Sequence, residues 1–196
     1  MFKGSGNIVQ SNGAAITTDG GSVIFWADSD GNGSGYVEIL ENITTGGGHL
    51  YVGGGSTAEL IGSLTVPTGY ATSTDNTKHG VLVSGAAIDT SGGNLRIRGE
   101  SASVNGVNAG VQVTTNATIQ TGAGNLDIRG KRTGDPHQSA GLWIGTAIGA
   151  FGPTGDVSIS TTTGDLTLEG ISEASQSFSW SHGLAVVMTD TDDVSI

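Results

Sequence analysis

The sequence predicts an all-β protein folded as a right-handed parallel β-helix, a β-solenoid of five to six coils with three short strands per coil. Three observations support this. One short motif recurs five times with constant internal spacing, which is typical of stacked repeats. Gly accounts for 35 of the 196 residues without a collagen-like triplet period. No window shows the 3.6-residue apolar period of an amphipathic helix.

The repeated motif is an Ile, a Thr two residues later, a Gly five residues later, and apolar residues seven and nine residues later. Its copies are Ile16-Thr18-Gly21-Val23-Phe25, Ile43-Thr45-Gly48-Leu50-Val52, Ile88-Thr90-Gly93-Leu95-Ile97, Ile119-Thr121-Gly124-Leu126-Ile128 and Ile159-Thr161-Gly164-Leu166-Leu168. Side chains alternate between the faces of a strand, so the last two apolar residues share one face. The Gly suits a corner that requires positive φ or close backbone approach. Each motif therefore supplies two short strands and the corner between them.

A further apolar strand follows each motif and usually opens with Gly. The examples are Gly35-Tyr36-Val37, Gly80-Val81-Leu82-Val83, Gly110-Val111-Gln112-Val113, Gly141-Leu142-Trp143-Ile144 and Gly183-Leu184-Ala185-Val186. Stacking would place equivalent residues about 4.8 Å apart in adjacent coils. We therefore expect apolar columns through the motif positions and a ladder of Thr hydroxyls at one corner. On the outer face we expect Arg96 beside Asp127 and Arg129 beside Glu169, with Arg98 and Arg129 as like-charged neighbours.

The domain expected is a single β-solenoid segment spanning residues 1–196. Residues 56–79 are extra relative to the other units. They form either a whole additional coil that lacks the motif or a strand followed by a protruding loop. Asp193-Val194-Ser195-Ile196 repeats Asp156-Val157-Ser158-Ile159, so Ile196 opens a sixth unit. An uncapped solenoid end exposes core, so we expect a segment of a longer repeat protein with further coils as its neighbours, and the alternative is a cap supplied by a partner chain.

Charge and composition narrow the functional classes. With 18 acidic and 7 basic residues the formal net charge is −11. Nucleic-acid binding and association with anionic membranes both need a basic face, so neither is expected. No apolar run reaches the length of a membrane-spanning helix, so we expect no membrane insertion. Cys is absent, which excludes disulfides and thiolate metal sites.

The repeat units resemble those of a known family. The segments Gly-Asn-Leu-Arg-Ile-Arg-Gly at 93–99 and Gly-Asp-Leu-Thr-Leu-Glu-Gly at 164–170 resemble the haemagglutinin-type repeats of filamentous haemagglutinin-like bacterial surface adhesins. The stretch from Gly21 to Gly33 looks like one common in such giant adhesins. The resemblance implies a structural shaft segment of a secreted or cell-surface bacterial protein that presents loops for cell adhesion. It implies a receptor or glycan on a host or neighbouring cell as partner. Because loops commonly carry recognition, we expect any binding on residues 56–79, 131–140 or 171–182.

One loop has the composition of a cation site. Asp28, Asp30 and Asn32 alternate with small residues and could surround a calcium ion with oxygen ligands. The first half matches an EF-hand loop, but the twelfth position is Ile39 and Glu38 comes one residue early. The alternative is a turn whose side chains cap their own backbone. A weaker acidic cluster, with the same two interpretations, comprises Asp190, Asp192 and Asp193.

No catalytic arrangement is apparent, and we expect no enzyme. Solenoid polysaccharide-cleaving enzymes need two carboxylates facing one groove, whereas the outward column reads Ile24, Tyr51, Arg96, Asp127, Thr167. The histidines His49, His79, His137 and His182 lack metal spacing, and we expect His79 and His182 at corners. The aromatic residues Trp26, Trp143, Trp180, Tyr36, Tyr51 and Tyr70 are either core residues or platforms for sugar rings. A carbohydrate-binding or carbohydrate-cleaving β-helix is therefore the alternative function.

Overall fold

The computed structural model describes residues 1–11, 13–104, 106–134, 139–146, 155–173, 181–187 and 194–196. Every regular element within these residues is a β-strand, so the predicted all-β class is confirmed. The strands form three sheets whose neighbours in each stack are parallel. Along the chain, successive strands enter the three sheets in turn, and this is the arrangement of a parallel β-helix.

The three sheets are named here in the order in which the chain visits them. Sheet A comprises β1 (Phe2–Lys3), β4 (Val23–Ala27), β7 (Leu50–Ile61), β12 (Leu95–Ser101), β15 (Leu126–Arg132) and β18 (Leu166–Ser172), with β8 (Leu64–Gly69) and β9 (Ala71–Ser73) attached. Sheet B comprises β2 (Ile8–Gln10), β5 (Val37–Ile39), β10 (Val81–Ser84), β13 (Ala109–Thr114), β16 (Ser139–Gly145) and β19 (Ser181–Val187). Sheet C comprises β3 (Ile16–Thr17), β6 (Ile43–Thr44), β11 (Ala87–Asp89), β14 (Thr118–Gln120), β17 (Val157–Ser160) and β20 (Val194–Ser195). The described residues thus build six coils.

The predicted columns are in register. Leu95 lies opposite Leu50 in one neighbouring coil and opposite Leu126 in the other. The Ile residues that open the motifs pair along sheet C in the same way. These side chains form one continuous core with residues of sheet B, and most of them are buried completely. Because each buried aliphatic side chain contributes about 1.5–3 kcal/mol, this core is the main source of stability.

The motif Thr fixes the corner between sheets C and A. Thr45, Thr90 and Thr121 are fully buried. Their hydroxyls donate to the carbonyl of the Gly three residues later, which is Gly48, Gly93 and Gly124 respectively. The hydroxyls of Thr18 and Thr45 also contact the carbonyl of the equivalent Thr in the next coil, at 3.0 and 3.3 Å. The predicted hydroxyl ladder is thus a ladder of hydroxyls bound to carbonyls.

The residue after the motif Gly adds a second ladder along the same corner. In this column of five residues, each of the first four side chains accepts a hydrogen bond from the backbone N–H of its equivalent in the next coil. The column reads Ser22, His49, Asn94, Asn125 and Asp165, with distances of 3.0, 2.9, 2.9 and 2.9 Å. Asn and His side chains therefore help to set the register of the coils, in addition to the apolar core.

The extra segment is a β-hairpin inserted into a strand of sheet A. Val52 lies opposite Ile97, and Ala71 lies opposite Gly99. One residue therefore separates the two positions in the fourth coil, whereas residues 53–70 separate them in the third. Within this stretch β8 pairs antiparallel with the second half of β7. The chain then resumes sheet A through β9, so residues 53–70 are a hairpin inserted within one coil.

Beyond the apolar core, sheets A and B approach each other at paired glycines. A Cβ on Gly99, Gly130 or Gly170 would overlap the backbone of Gly110, Gly141 or Gly183 respectively. Past this contact the interior is polar. Arg132 is fully buried there, and it donates to the Ser101 hydroxyl at 2.7 Å and to the Ser103 carbonyl at 2.6 Å. Gly110, Gly141 and Gly183 near the start of their sheet B strands are therefore needed for close backbone contact.

Candidate functional site

In the second and third coils, the residues that connect sheet A to sheet B lie along one edge of the solenoid, called here the A–B edge. In the second coil the connection runs from Ala27 to Val37, and in the third it comprises residues 74–80, which follow the hairpin and β9. A hydrogen bond from Gly35 N to Thr72 O at 2.7 Å joins the second-coil connection to β9, directly before the third-coil connection. The predicted calcium loop and the extra segment are thereby brought together.

The Asp28 side chain points back into its own loop. Asp28 is 3% exposed and has a positive φ of 48°. Its two carboxylate oxygens accept the Gly33 N–H at 3.0 and 3.2 Å, and its carbonyl accepts the Gly31 N–H at 2.9 Å. A side chain on Gly35 would collide with the backbone of Asp28. The loop is therefore held tightly by a buried carboxylate.

The other two predicted calcium ligands bond to each other and to the backbone. The Asn32 amide donates to the Asp30 carboxylate at 2.9 Å, and the Asn32 side-chain oxygen accepts the Ser34 N–H at 2.9 Å. The structure therefore brings Asp28, Asp30 and Asn32 into one loop, in which the side-chain oxygens of Asp28 and Asn32 cap backbone N–H groups and that of Asp30 accepts the Asn32 amide. Among the described residues no group of three or more His, Cys, Asp or Glu side chains is placed to hold a metal. Calcium binding here stays a prediction.

The hairpin covers the outer face of sheet A. Its buried Val66 packs against Ile24, Trp26 and Tyr51, which point away from the solenoid core. The Trp26 indole N–H donates to the carbonyl of Gly55 at 2.7 Å. Burial raises the pKa of the Tyr51 hydroxyl. These outward aromatic side chains therefore form a small second core beneath the hairpin, where a sugar could not stack on them.

Two arginines of β12 fasten the hairpin to the fourth coil. Arg96 pairs with Glu59, donates to the carbonyl of Pro67 at 2.6 Å and lies 5.2 Å from the centre of the Tyr51 ring. The pKa of Glu59 is lowered chiefly by its hydrogen bond to Arg96. Arg98 donates to the carbonyl of Thr68 at 2.7 Å, and burial lowers its pKa. These contacts tie the insertion to residues that the sequence places one coil away.

One charge contact differs from the expectation. Arg96 lies opposite Asp127 in register. Its guanidinium pairs instead with Glu59, because the hairpin that carries Glu59 packs over the outer face of sheet A. Asp127 bonds instead to Arg129 of its own strand at 2.8 Å. The expected pair of Arg129 and Glu169 is present at 3.0 Å, and the register places Arg98 beside Arg129 as predicted.

A polar groove of about 310 Å³ lies on the A–B edge, next to the calcium loop. Its walls come from the first three coils and are formed by Asn7, Ser34, Tyr36, Thr72, Ser73, Thr74 and Asp75. Lys78 lies nearby, where it pairs with Glu38 at 2.7 Å and sits 5.4 Å from the centre of the Tyr36 ring. The sequence analysis missed this groove because its residues are distant along the chain and share no motif.

The histidines that the structure describes have structural contacts. The Nδ1 atom of His79 accepts the Ala109 N–H at 3.0 Å, and burial lowers the pKa of this imidazole to about 4. His79 is therefore at a corner, as predicted, and uncharged at neutral pH. His182, which was expected at a corner, lies instead within β19 opposite Ala140, because the sheet B strand begins before its Gly. His137 is outside the described residues, as are Trp180 and the acidic residues 190, 192 and 193.

The remaining aromatic side chains are divided between packing and surface. Trp143 is half-buried, and its indole N–H donates to the carbonyl of Thr146 at 2.7 Å. Tyr36 and Tyr70 are also half-buried. Of the aromatic residues that the sequence offered as sugar platforms, Tyr36 lines the polar groove.

One sequence signal could have revealed the hairpin, because Gly62-Ser63 separates two short apolar runs, as the turn of a β-hairpin does.

No protein-family model, no curated protein and no solved structure matches this chain. In the part of the chain that the structure describes, no helix is long and apolar enough to cross a membrane. The functional argument therefore depends on the geometry of the coils and of the A–B edge.

Proposed function

We propose that this chain is a shaft segment of a secreted or cell-surface bacterial adhesin, built for stiffness and presenting the A–B edge to another cell. The observation that carries the proposal is the unbroken register of six coils, with Leu95 directly between Leu50 and Leu126. Each added coil lengthens such a solenoid by about 4.8 Å. Because each coil contacts only its neighbours, a long rod can be built from repeats whose loops differ in length and sequence.

The ladders at the corner between sheets C and A support a mechanical role. Thr45 bonds within its own corner and across to Thr90 of the next coil. Asn94 caps the backbone of Asn125 in the following coil. Because such buried bonds are costly to leave unsatisfied, slipping one coil past another would break several of them together. Resistance to shear and to proteases is the expected property.

The A–B edge supports the adhesive part of the proposal. Recognition is commonly carried by loops held on a rigid scaffold. Here the hairpin and the Asp28 loop protrude from one side and are fixed by Arg96, Arg98 and Asp28. Sheet C, by contrast, has short strands and tight corners. A partner on a host or neighbouring cell would therefore meet the A–B edge.

Two measurements test the proposed function. Limited proteolysis of the whole chain, followed by mass spectrometry, should give early cuts outside the three sheets and late cuts within them. Beads coated with the chain should adhere to cells, and the soluble chain should compete. A matched control is a variant in which exposed Thr118 of sheet C is replaced by Ala, which should adhere equally well. Early cleavage within the sheet strands would contradict the role as a shaft. Failure of the coated beads to adhere to any cell type tested would contradict the adhesive role.

A further inference from the structure

The polar groove on the A–B edge has the chemistry of a sugar site. We propose that the groove lined by Asn7, Tyr36, Thr74 and Asp75 binds one residue of a neutral glycan. The inference rests on the proposed adhesive function and adds to it the chemical class of the ligand. The groove volume of about 310 Å³ is at the lower end of the range for small-molecule sites, which suits a single ring.

Polar atoms with unused hydrogen-bonding capacity surround this groove. Within the described residues, no protein group bonds to Asn7 Nδ2, Ser34 Oγ, Tyr36 Oη, Thr74 Oγ1 or Asp75 Oδ2. Together they offer an amide donor, three hydroxyls and a carboxylate acceptor. A sugar ring carries hydroxyls that both donate and accept around its rim. The polar groups of the groove can therefore replace several of the hydrogen bonds that the sugar hydroxyls make to water.

The backbone that carries these atoms is already ordered. The Asn7 side-chain oxygen accepts the Tyr36 N–H at 3.1 Å, and Asp75 Oδ1 accepts both the backbone and hydroxyl protons of Thr77, at 2.7 and 2.8 Å. The bond from Gly35 to Thr72 links the two walls. Binding to a preformed groove loses little conformational entropy, which favours recognition of a small ligand.

Charge argues for a neutral ligand and against an acidic one. Asp75 lies in the groove wall, and its bonds to Thr77 lower its pKa, so it carries a full negative charge at neutral pH. The nearby ammonium group of Lys78 is paired with Glu38. The whole chain carries a formal net charge of −11. A sialylated or sulfated sugar would meet repulsion here, whereas a neutral sugar would not.

Tyr36 provides the apolar part of the site. It is half-buried, and it is the aromatic side chain that lines the groove among the residues described. Aromatic rings present a flat apolar face with a polar edge, and ligand sites combine such surfaces with a few converging polar groups. In contrast, Trp26 and Tyr51 are covered by the hairpin. The groove is thus where the A–B edge combines a ring with free polar groups.

A glycan array tests the inference on the whole chain. The array should carry neutral oligosaccharides of glucose, galactose, mannose and N-acetylhexosamines beside sialylated and sulfated ones. We expect binding to a subset of the neutral set, and affinity for the bound sugar is then measured by titration monitored by nuclear magnetic resonance. Tyr36→Ala and Asp75→Ala should each weaken binding at least about tenfold. Tyr36→Phe, which retains the ring, should lose less, and Leu60→Ala at the exposed hairpin tip should match the wild type.

Each alternative outcome contradicts the inference in a recognisable way. Binding confined to sialylated or sulfated sugars would contradict the neutral ligand. Groove variants that bind as wild type, with Leu60→Ala impaired, would move recognition to the hairpin. New reducing ends in the bound oligosaccharide would mean cleavage instead of capture. An array without any binding, together with beads that still adhere to cells, would overturn the glycan site and leave the adhesive function standing, and loss of both would overturn both.

Discussion

The backbone of Gly93 lies directly against the carbonyl of Gly48 in the preceding coil, so closely that a Cβ on Gly93 would overlap that oxygen. The same contact recurs between Gly124 and Gly93 and between Gly164 and Gly124. The motif glycine is therefore required by close approach of two coils. Its neighbour Gly92, with a φ of +107°, serves the different purpose of turning the chain.

Replacing Gly93 with Ala should destabilise the solenoid by at least about 2–3 kcal/mol, because the clash is with backbone and cannot be relieved by a rotamer change. Gly6→Ala is the matched control, since nothing lies within 4 Å of its added Cβ, and it should stay within about 0.5 kcal/mol of wild type. Urea unfolding monitored by circular dichroism measures both. Equal midpoints for the two variants would contradict the stacked contact.

Thr90→Val should cost about 1–2 kcal/mol, because it removes the hydroxyl that satisfies the buried Gly93 carbonyl while keeping nearly the same volume. Thr90→Ser should recover part of the loss. Thr118→Val is the control, as Thr118 is exposed on sheet C. The comparison uses unfolding free energies from the same denaturant titration. A Val variant as stable as wild type would show that the hydroxyl does not hold this corner.

Arg96→Met should release the hairpin without unfolding the coils. The substitution removes bonds to Glu59 and Pro67 but leaves the apolar core untouched. Loss of charge-assisted bonds worth about 1.5–3 kcal/mol raises local opening by about ten- to a hundredfold. Amide hydrogen exchange in residues 55–69 measures this. Arg129→Met, which removes exposed pairs with Asp127 and Glu169, is the control and should leave hairpin exchange unchanged.

Stability should fall in acid through His79. Its pKa is about 4 in the folded chain and 6.5 in the unfolded chain, so protonation favours unfolding. The contribution is nearly complete above pH 6.5 and is lost as the pH falls towards 4, so that about 2 kcal/mol has been lost at pH 5. His79→Asn keeps an acceptor for Ala109 without titrating, so its loss of stability between pH 7 and pH 5 should be smaller. Identical pH profiles for the two proteins would refute this.

The calcium hypothesis predicts that millimolar calcium raises the melting temperature relative to a chelator, and that Asp30→Asn removes the rise. Asp19→Asn is a suitable control, because Asp19 is exposed and lies outside the loop. Ligation would compete with the bonds that Asn32 makes to Asp30 and Ser34. Coincident melting curves in calcium and chelator would rule the site out.

Sequence alone determined the coil, the register and the corner. The spacing of Ile, Thr, Gly and two apolar residues survives because each position touches its own equivalent in the next coil, as Leu95 touches Leu126. Because equivalent positions in successive coils contact each other, they carry similar residues, and the pattern therefore repeats along the sequence. The Thr ladder and the columns along sheets A and C were predictable for that reason.

The contacts along the A–B edge could be known only from the tertiary structure. Arg96 was expected to pair with Asp127, its neighbour in register, but the inserted hairpin brings Glu59 nearer. The groove joins Asn7 and Tyr36, which hold equivalent positions in adjacent coils but differ in chemistry, to Asp75 of the third coil. Contacts between unlike residues distant along the chain depend on where an insertion folds, and that is set by packing of Val66 on Trp26 and Tyr51 instead of by any period in the sequence.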